Sequence, residues 1–150
     1  MVALLLSLAL TVTGILVGVE LAVAVVVNPI LRALPFEASI AGRAHGARIL
    51  GRAMPFWYIA SLILVLVATV IVDGASATGA SLVAAVFLVL SCVLSVLLLV
   101  PINRRARTWT AEEHPADWAD QQRRWDRLHL ARVGLLVLAM PLLTMSAVIG

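Results

Sequence analysis

The sequence predicts an all-α integral membrane protein, a four-helix bundle with short amphipathic helices in the cytoplasmic linkers between its spans. Two observations carry this prediction. The chain has 150 residues, 63% of them hydrophobic, and a mean hydropathy of +1.08, whereas soluble domains are roughly half apolar. Four apolar runs, at about 2–27, 54–72, 80–100 and 133–149, are separated by polar stretches. The length fits one four-span domain, 1–150.

The first span, residues 2–27, is long enough to cross about 30 Å of hydrocarbon at 1.5 Å per residue. It has no basic start and no small-residue cleavage site, so we expect it to be retained rather than removed as a signal peptide. Asn28-Pro29 should end it, because proline disfavours helical conformation in the residue before it.

The first linker is predicted to form a short helix at the membrane surface, from Phe36 to Met54. The stretch after Pro35 is rich in alanine and free of proline up to Met54. His45, Arg48 and Arg52 follow one another at spacings of three and four, so they should share one face of this helix.

The second span, 54–72, has Pro55 in its first turn, and its Trp57 and Tyr58 suit the interfacial aromatic belt. Residues 73–79 are too few for anything but a tight hairpin to the third span. The fourth span contains Pro141, which a membrane helix tolerates where neighbouring groups cover the freed carbonyl.

The charge distribution predicts the orientation. All eleven basic residues are arginine, and all lie in linkers 28–53 and 101–132, whereas the hairpin carries only Asp73. We therefore expect both linkers to be cytoplasmic and both termini to be outside, in a bacterial inner membrane. The arginines alternate with acids and flank apolar runs, so lipid headgroups are the expected partner and nucleic acid is not. Whether copies form a homo-oligomer is left open.

The second linker concentrates the polar chemistry of the chain, with three of the four tryptophans and two of the three histidines. A helix continuous with the fourth span would carry one stripe at spacings of four, three, four and three: Trp118, Gln122, Trp125, His129 and Arg132. Such a face can stack a planar aromatic ligand, and its arginine can hold a phenolate or carboxylate. The alternative is interfacial anchoring, with the histidine as a bystander.

Glu20 is the one ionisable residue well inside an apolar run. It lies eight residues, or about 12 Å, before Asn28. A lone carboxylate at the centre of a membrane costs ~2.5–3.5 kcal/mol, so this residue should be paired, protonated or functional. The structural alternative is an ion pair with Arg52 or Arg132.

Two further features could serve a ligand. Glu20, His45 and His129 make up a two-histidine, one-carboxylate set that could hold copper or iron for oxygen chemistry, although no short sequence spacing supports it and the protein could equally use no cofactor. Asn28 and Asn103 each lie where a span meets its linker, and their amides could cap the helix or point at a ligand.

These residues make the chain resemble the anthrone-oxygenase-like family of small four-span membrane proteins, long catalogued as a domain of unknown function. The C-terminal likeness lies in three elements: Val100 to Asn103, Trp118 to Trp125, and His129 to Arg132. The N-terminal likeness is looser: Gly18-x-Glu20, Asn28-Pro29, Leu31 and Leu34-Pro35. The resemblance implies a monooxygenase that converts a phenolic, polyketide-like or anthrone carbon to a quinone.

On this hypothesis His129, with Glu20, removes a proton, while Arg132 and Asn103 stabilise the oxyanion. Oxygen would react with the carbanion directly or at a metal. The small-molecule substrate would lie against the remaining candidates: Trp118, Gln122, Trp125, Asn28 and Arg52.

Two other classes of function stay open. A non-enzymatic protein that binds lipid or a partner would lose only stability or assembly when Glu20 and His129 are replaced. A small-solute transporter subunit would have to oligomerise, because four spans are few for a transporter, and it would give measurable flux in liposomes.

Overall fold

The computed structural model describes all residues, 1–150, and contains four helices. They are α1 (Val2–Ala33), α2 (Phe36–Ile71), α3 (Ala75–Ala106) and α4 (Trp118–Ile149). Each is long and apolar enough to cross a membrane. The predicted all-α, four-helix membrane bundle is confirmed.

The linker helices are not separate elements. Residues 36–53 continue without a break into the second span, and α4 runs through both the predicted stripe and the fourth span. A helix of 36 residues is about 54 Å long, whereas the hydrocarbon is ~30 Å thick. The helices therefore project beyond the hydrocarbon at the end that carries the arginines, which we call the arginine-rich end (residues 28–53 and 101–132).

The prediction that Asn28-Pro29 ends the first helix was wrong. The helix continues to Ala33 and stops before Leu34-Pro35. A π-helical turn, Val23–Val27, precedes the proline, and the Asn28 N–H bonds to the carbonyl of Val23. This wider turn lets the chain continue although proline offers no N–H.

The third helix also has a π-helical turn before a proline. A second π-helical turn, Ser95–Leu99, precedes Pro101, and the Val100 N–H bonds to the Ser95 carbonyl. Pro141 lies inside α4, as expected for a membrane helix.

The connection between α2 and α3 is shorter than predicted. The chain turns at Val72–Gly74, and residues 75–79 already belong to α3. Gly74 has a φ of 89°, which glycine adopts without the steric cost of a Cβ.

The bundle core lies between the four helices, and each helix contributes a fully buried apolar side chain: Leu16, Val65, Leu88 and Leu136. The outer surface is also apolar, with large exposed residues such as Phe56 and Val70. An apolar exterior of this extent matches a lipid environment rather than water.

Asp126 on α4 joins three helices at the arginine-rich end. Its carboxylate lies 3.5 Å from Arg43 Nη1 on α2 and 3.9 Å from Arg32 Nη1 on α1. It also accepts a hydrogen bond of 3.1 Å from the Gln122 amide. The Arg43 side chain is buried and poorly hydrated, so its positive charge needs a partner. The Asp126 carboxylate is that partner.

We expect Asp126→Asn to destabilise the bundle by about 1–3 kcal/mol, because it leaves a buried guanidinium without its anion. The melting temperature in detergent micelles, followed by tryptophan fluorescence, should fall by about 5 °C. Asp120→Asn is the matched control, since this exposed carboxylate pairs only with exposed Arg123. Equal melting temperatures for the two variants would contradict the proposed clamp.

Candidate functional site

A cavity of about 450 Å³ opens between the helices towards the arginine-rich end, and we call it the interhelical cavity. All four helices contribute to its wall. Its wall includes Glu20, Gly51, Met54, Tyr58, Ile59, Cys92, Ser95, Val96, Asn103, Arg104, Arg107, Trp125, His129 and Arg132.

An ion pair between Glu20 on α1 and Arg132 on α4 lies in the wall of this cavity. Arg132 Nη2 donates to Glu20 Oε2, and both side chains are buried. The second carboxylate oxygen, Oε1, accepts a hydrogen bond of 3.2 Å from the Tyr58 hydroxyl on α2. Glu20 thus has the arginine partner that its position in an apolar helix requires.

Arg132 connects the remaining helix. Its Nη1 donates to Ser95 Oγ on α3 over 3.0 Å, and its guanidinium carbon lies 5.5 Å from the centre of the Tyr58 ring. Nη2 also donates to His129 Nδ1 over 2.8 Å. The five residues Glu20, Tyr58, Ser95, His129 and Arg132 form what we call the polar centre, to which every helix contributes.

His129 is held at both ring nitrogens. Because arginine has only donors, Nδ1 must accept from Arg132, so the proton resides on Nε2. Nε2 then donates to the main-chain carbonyl of Glu20 over 3.2 Å. The Trp125 ring stacks on the imidazole, with centroids 4.6 Å apart and planes 10° from parallel. These contacts orient the imidazole as an acceptor for Arg132.

Two buried donors in the cavity wall have no partner within the protein: Trp125 Nε1 and Arg132 Nε. Buried N–H groups are nearly always hydrogen-bonded, so an unpaired pair beside a cavity calls for an explanation. Both atoms are shielded from solvent, so a ligand with oxygen acceptors would reach them only after neighbouring side chains move.

The structure brings five of the predicted site residues to the cavity: Glu20, Asn103, Trp125, His129 and Arg132. The other two residues of the stripe, Trp118 and Gln122, lie nearer to the N-terminal end of α4. Trp118 packs against Phe36, with ring centroids 5.3 Å apart, and Gln122 is bound to Asp126. Trp118 precedes Arg132 by fourteen residues, or about 21 Å of helix, so it lies outside the cavity.

Three other predicted residues also lie elsewhere. Arg52 and His45 are exposed on α2, and Asn28 is buried outside the cavity wall. Since Arg43 and Ala44 face inward, the 100° step of a helix turns the next residue, His45, away from the bundle.

The predicted metal set is therefore not assembled. No three histidine, cysteine, aspartate or glutamate side chains lie together as metal ligands. In addition, both nitrogens of His129 are engaged and Arg132 places a positive charge beside them. The residues present do not fit a metal held by Glu20, His45 and His129.

Sequence reasoning missed Tyr58 and Ser95 as members of the site. Tyr58 was assigned to the interfacial belt beside Trp57, although only Trp57 is exposed. A signal was present, because Gly51, Met54 and Tyr58 recur at spacings of three and four and so share one helical face.

The chain also matches a known protein family. Residues 45–142, well over half of the chain, match the anthrone oxygenase family. The matched region contains Tyr58, Ser95, His129 and Arg132, whereas Glu20 precedes it. Neither a curated protein nor a solved structure matches the chain. The chain belongs to the anthrone oxygenase family.

Proposed function

We propose that the protein is a membrane-embedded oxygenase that oxidises an activated methylene of a small phenolic aromatic substrate to a carbonyl. One observation carries the proposal: the Glu20 carboxylate, held by Tyr58 and Arg132, lies in the wall of a cavity with two unpaired donors. Membership of the anthrone oxygenase family supports this reaction class.

The reaction needs no oxidant or reductant other than the substrate and O₂. A methylene compound and O₂ give a ketone and water, so the substrate carbon supplies all four electrons. Loss of a proton gives a carbanion stabilised as a phenolate or enolate. One electron passes to O₂, and the radical pair combines to a hydroperoxide after protonation. Loss of the second C–H proton then breaks the O–O bond and releases water.

Glu20 is the best-placed group for the first proton transfer. Its carboxylate is an acceptor in a poorly hydrated wall, and a substrate hydroxyl or methylene could replace the 3.2 Å bond from Tyr58. Arg132, which lines the same wall, would then stabilise the negative charge that forms on the substrate oxygen. Asn103 offers a further amide donor in the same wall.

His129 receives a different role from the one predicted. Because its two ring nitrogens are occupied by Arg132 and the Glu20 carbonyl, it acts as a positioning residue for the guanidinium. The Trp125 ring holds the imidazole in place from one side.

We expect apolar reactants to enter the cavity from the lipid. Ile59 and Val96 line it and are 58% and 63% exposed, respectively, on the outer surface of the bundle. An apolar substrate and O₂, an apolar gas, both concentrate in hydrocarbon. The lipid would therefore deliver both reactants to the same opening.

Replacement of the base gives the first test. Glu20→Gln keeps the size of the side chain but removes its basicity, so kcat for oxygen uptake with anthrone should fall at least about 10²-fold. An oxygen electrode measures the rate, and Glu37→Gln, an exposed carboxyl change on α2, should retain full activity. Unchanged uptake by Glu20→Gln would eliminate Glu20 as the base. If the wild type consumes no oxygen, a non-enzymatic function becomes the better explanation.

The role of the histidine is tested by a pair of variants. His129→Gln retains an acceptor for Arg132 and should keep kcat within about tenfold of the wild type, whereas His129→Leu should lose about 10²-fold or more. The same oxygen assay separates kcat from KM. Equal losses in both variants would instead favour His129 as the base.

We also propose that the arginine-rich end faces the cytoplasm, as the positive-inside rule indicates. In a Cys92→Ala background, a membrane-impermeant maleimide applied to intact cells should label Ser76→Cys and leave Glu112→Cys unlabelled. Both should react after lysis, because both positions are exposed. The opposite pattern would reverse the orientation.

A further inference from the structure

Two arginines at the mouth of the interhelical cavity have no assigned role. Arg104 and Arg107 line the cavity from the end of α3, and neither pairs with any carboxylate of the chain. The other charges in the wall, Glu20 and Arg132, neutralise each other. The mouth therefore carries uncompensated positive charge, which attracts an anion.

Arg107 is held in position by α2. Its Nε donates to the Ala47 carbonyl over 3.3 Å, and Arg48 Nη1 donates to the Arg107 carbonyl over 2.7 Å. The guanidinium lies against Gly51, where an added Cβ would come within 3.2 Å of Cζ and closer still to Nη2. The absence of a side chain at Gly51 thus makes room for this cation, while its Nη donors stay available to a ligand.

The distance from Arg107 to the polar centre matches the length of a single ligand molecule. Gly51 and Tyr58 are seven residues apart on α2, or about 10 Å of helix. Two or three fused aromatic rings span this length. A ligand with its reactive ring at Glu20 would bring its opposite end to Arg107.

We propose that Arg107 binds a carboxylate at the far end of the substrate, so that the protein selects acidic fused-ring aromatics. This inference rests on the proposed function, because it uses the same cavity and orientation. A guanidinium binds a carboxylate through two parallel hydrogen bonds, which fixes direction as well as position. The carboxylate would remain at the arginine-rich end, and the apolar rings would lie against Met54 and the lipid-facing residues.

The chain contains its own reporter for this site. Cys92 is the single cysteine and lines the cavity, so a bound ligand should slow its alkylation by a maleimide. The probes are anthraquinone-2-carboxylate and the neutral 2-hydroxymethylanthraquinone, titrated against the labelling rate in phosphatidylcholine nanodiscs. Neither probe undergoes the oxidation, so this measurement reports binding without catalysis.

We expect the wild type to bind the carboxylate more tightly than the neutral probe. Arg107→Gln should weaken carboxylate binding by about tenfold or more and leave the neutral probe within about twofold. Gly51→Ala should reproduce this pattern without a change of charge, because it displaces the guanidinium. Arg105→Gln is the matched control: it removes one charge two residues away, from a residue outside the cavity wall, and should bind both probes normally.

Several results would overturn the proposal. They are equal loss of both probes in Arg107→Gln, equal weakening by Arg105→Gln, or no protection of Cys92 by either probe in the wild type.

Nanodiscs with added phosphatidylglycerol test the other source of an anion, since strong competition by this lipid would assign the arginines to headgroups. Oxygen uptake with anthrone that is lost in Glu20→Gln, together with no carboxylate preference, would retain the oxygenase and reject the carboxylate site. The reverse pair of results would retain the site and reject the oxygenase.

Discussion

The ion pair between Glu20 and Arg132 is the interaction on which the bundle and the site both depend. Removing two charges from water is costly, and the cost is recovered only where the remaining polar atoms are also satisfied. Here Tyr58, Ser95 and His129 supply most of those bonds, and Arg132 Nε is left without a partner within the protein. Because the participants come from all four helices, the relative positions of the helices along the membrane normal are set by one small group of hydrogen bonds.

The two π-helical turns belong to the same arrangement. Val23–Val27 begins three residues after Glu20, and Ser95–Leu99 begins with the serine that binds Arg132. Each turn widens a helix just ahead of Pro29 or Pro101, so the helix continues past the hydrocarbon instead of ending there. The extension of α3 carries Asn103 and is followed directly by Arg107, and both residues line the cavity at the arginine-rich end. Irregular helical turns beside polar residues thus extend the site from an apolar region into a charged one.

Hydropathy and helical period were sufficient to predict four helices and the shared face of Trp125, His129 and Arg132, and they singled out Glu20 as a residue that needs a partner or a function. They could not predict which neighbour that face meets, or at what depth. Arg52 and Arg132 were therefore equivalent candidates for Glu20, and Trp118 was expected to contact the substrate although the cavity ends before it. The three proposed metal ligands are not brought together for the same reason, since the rotation of α2 that exposes His45 follows from packing around Arg43. Tyr58 was missed because its aromatic neighbour Trp57 suggested an interfacial position for both.

The location of the polar centre also bears on the proposed oxygenation. A carbanion that forms in water is reprotonated at once, whereas a site walled by apolar helices keeps bulk water away during reaction with O₂. The same exclusion strengthens the attraction between Arg132 and a developing oxyanion, because fewer solvent dipoles screen it. Holding the substrate by an anionic end would add direction, since only one orientation then brings the methylene to Glu20. A cavity that is apolar towards lipid, charged at its mouth and hydrogen-bonded at its wall meets all three requirements.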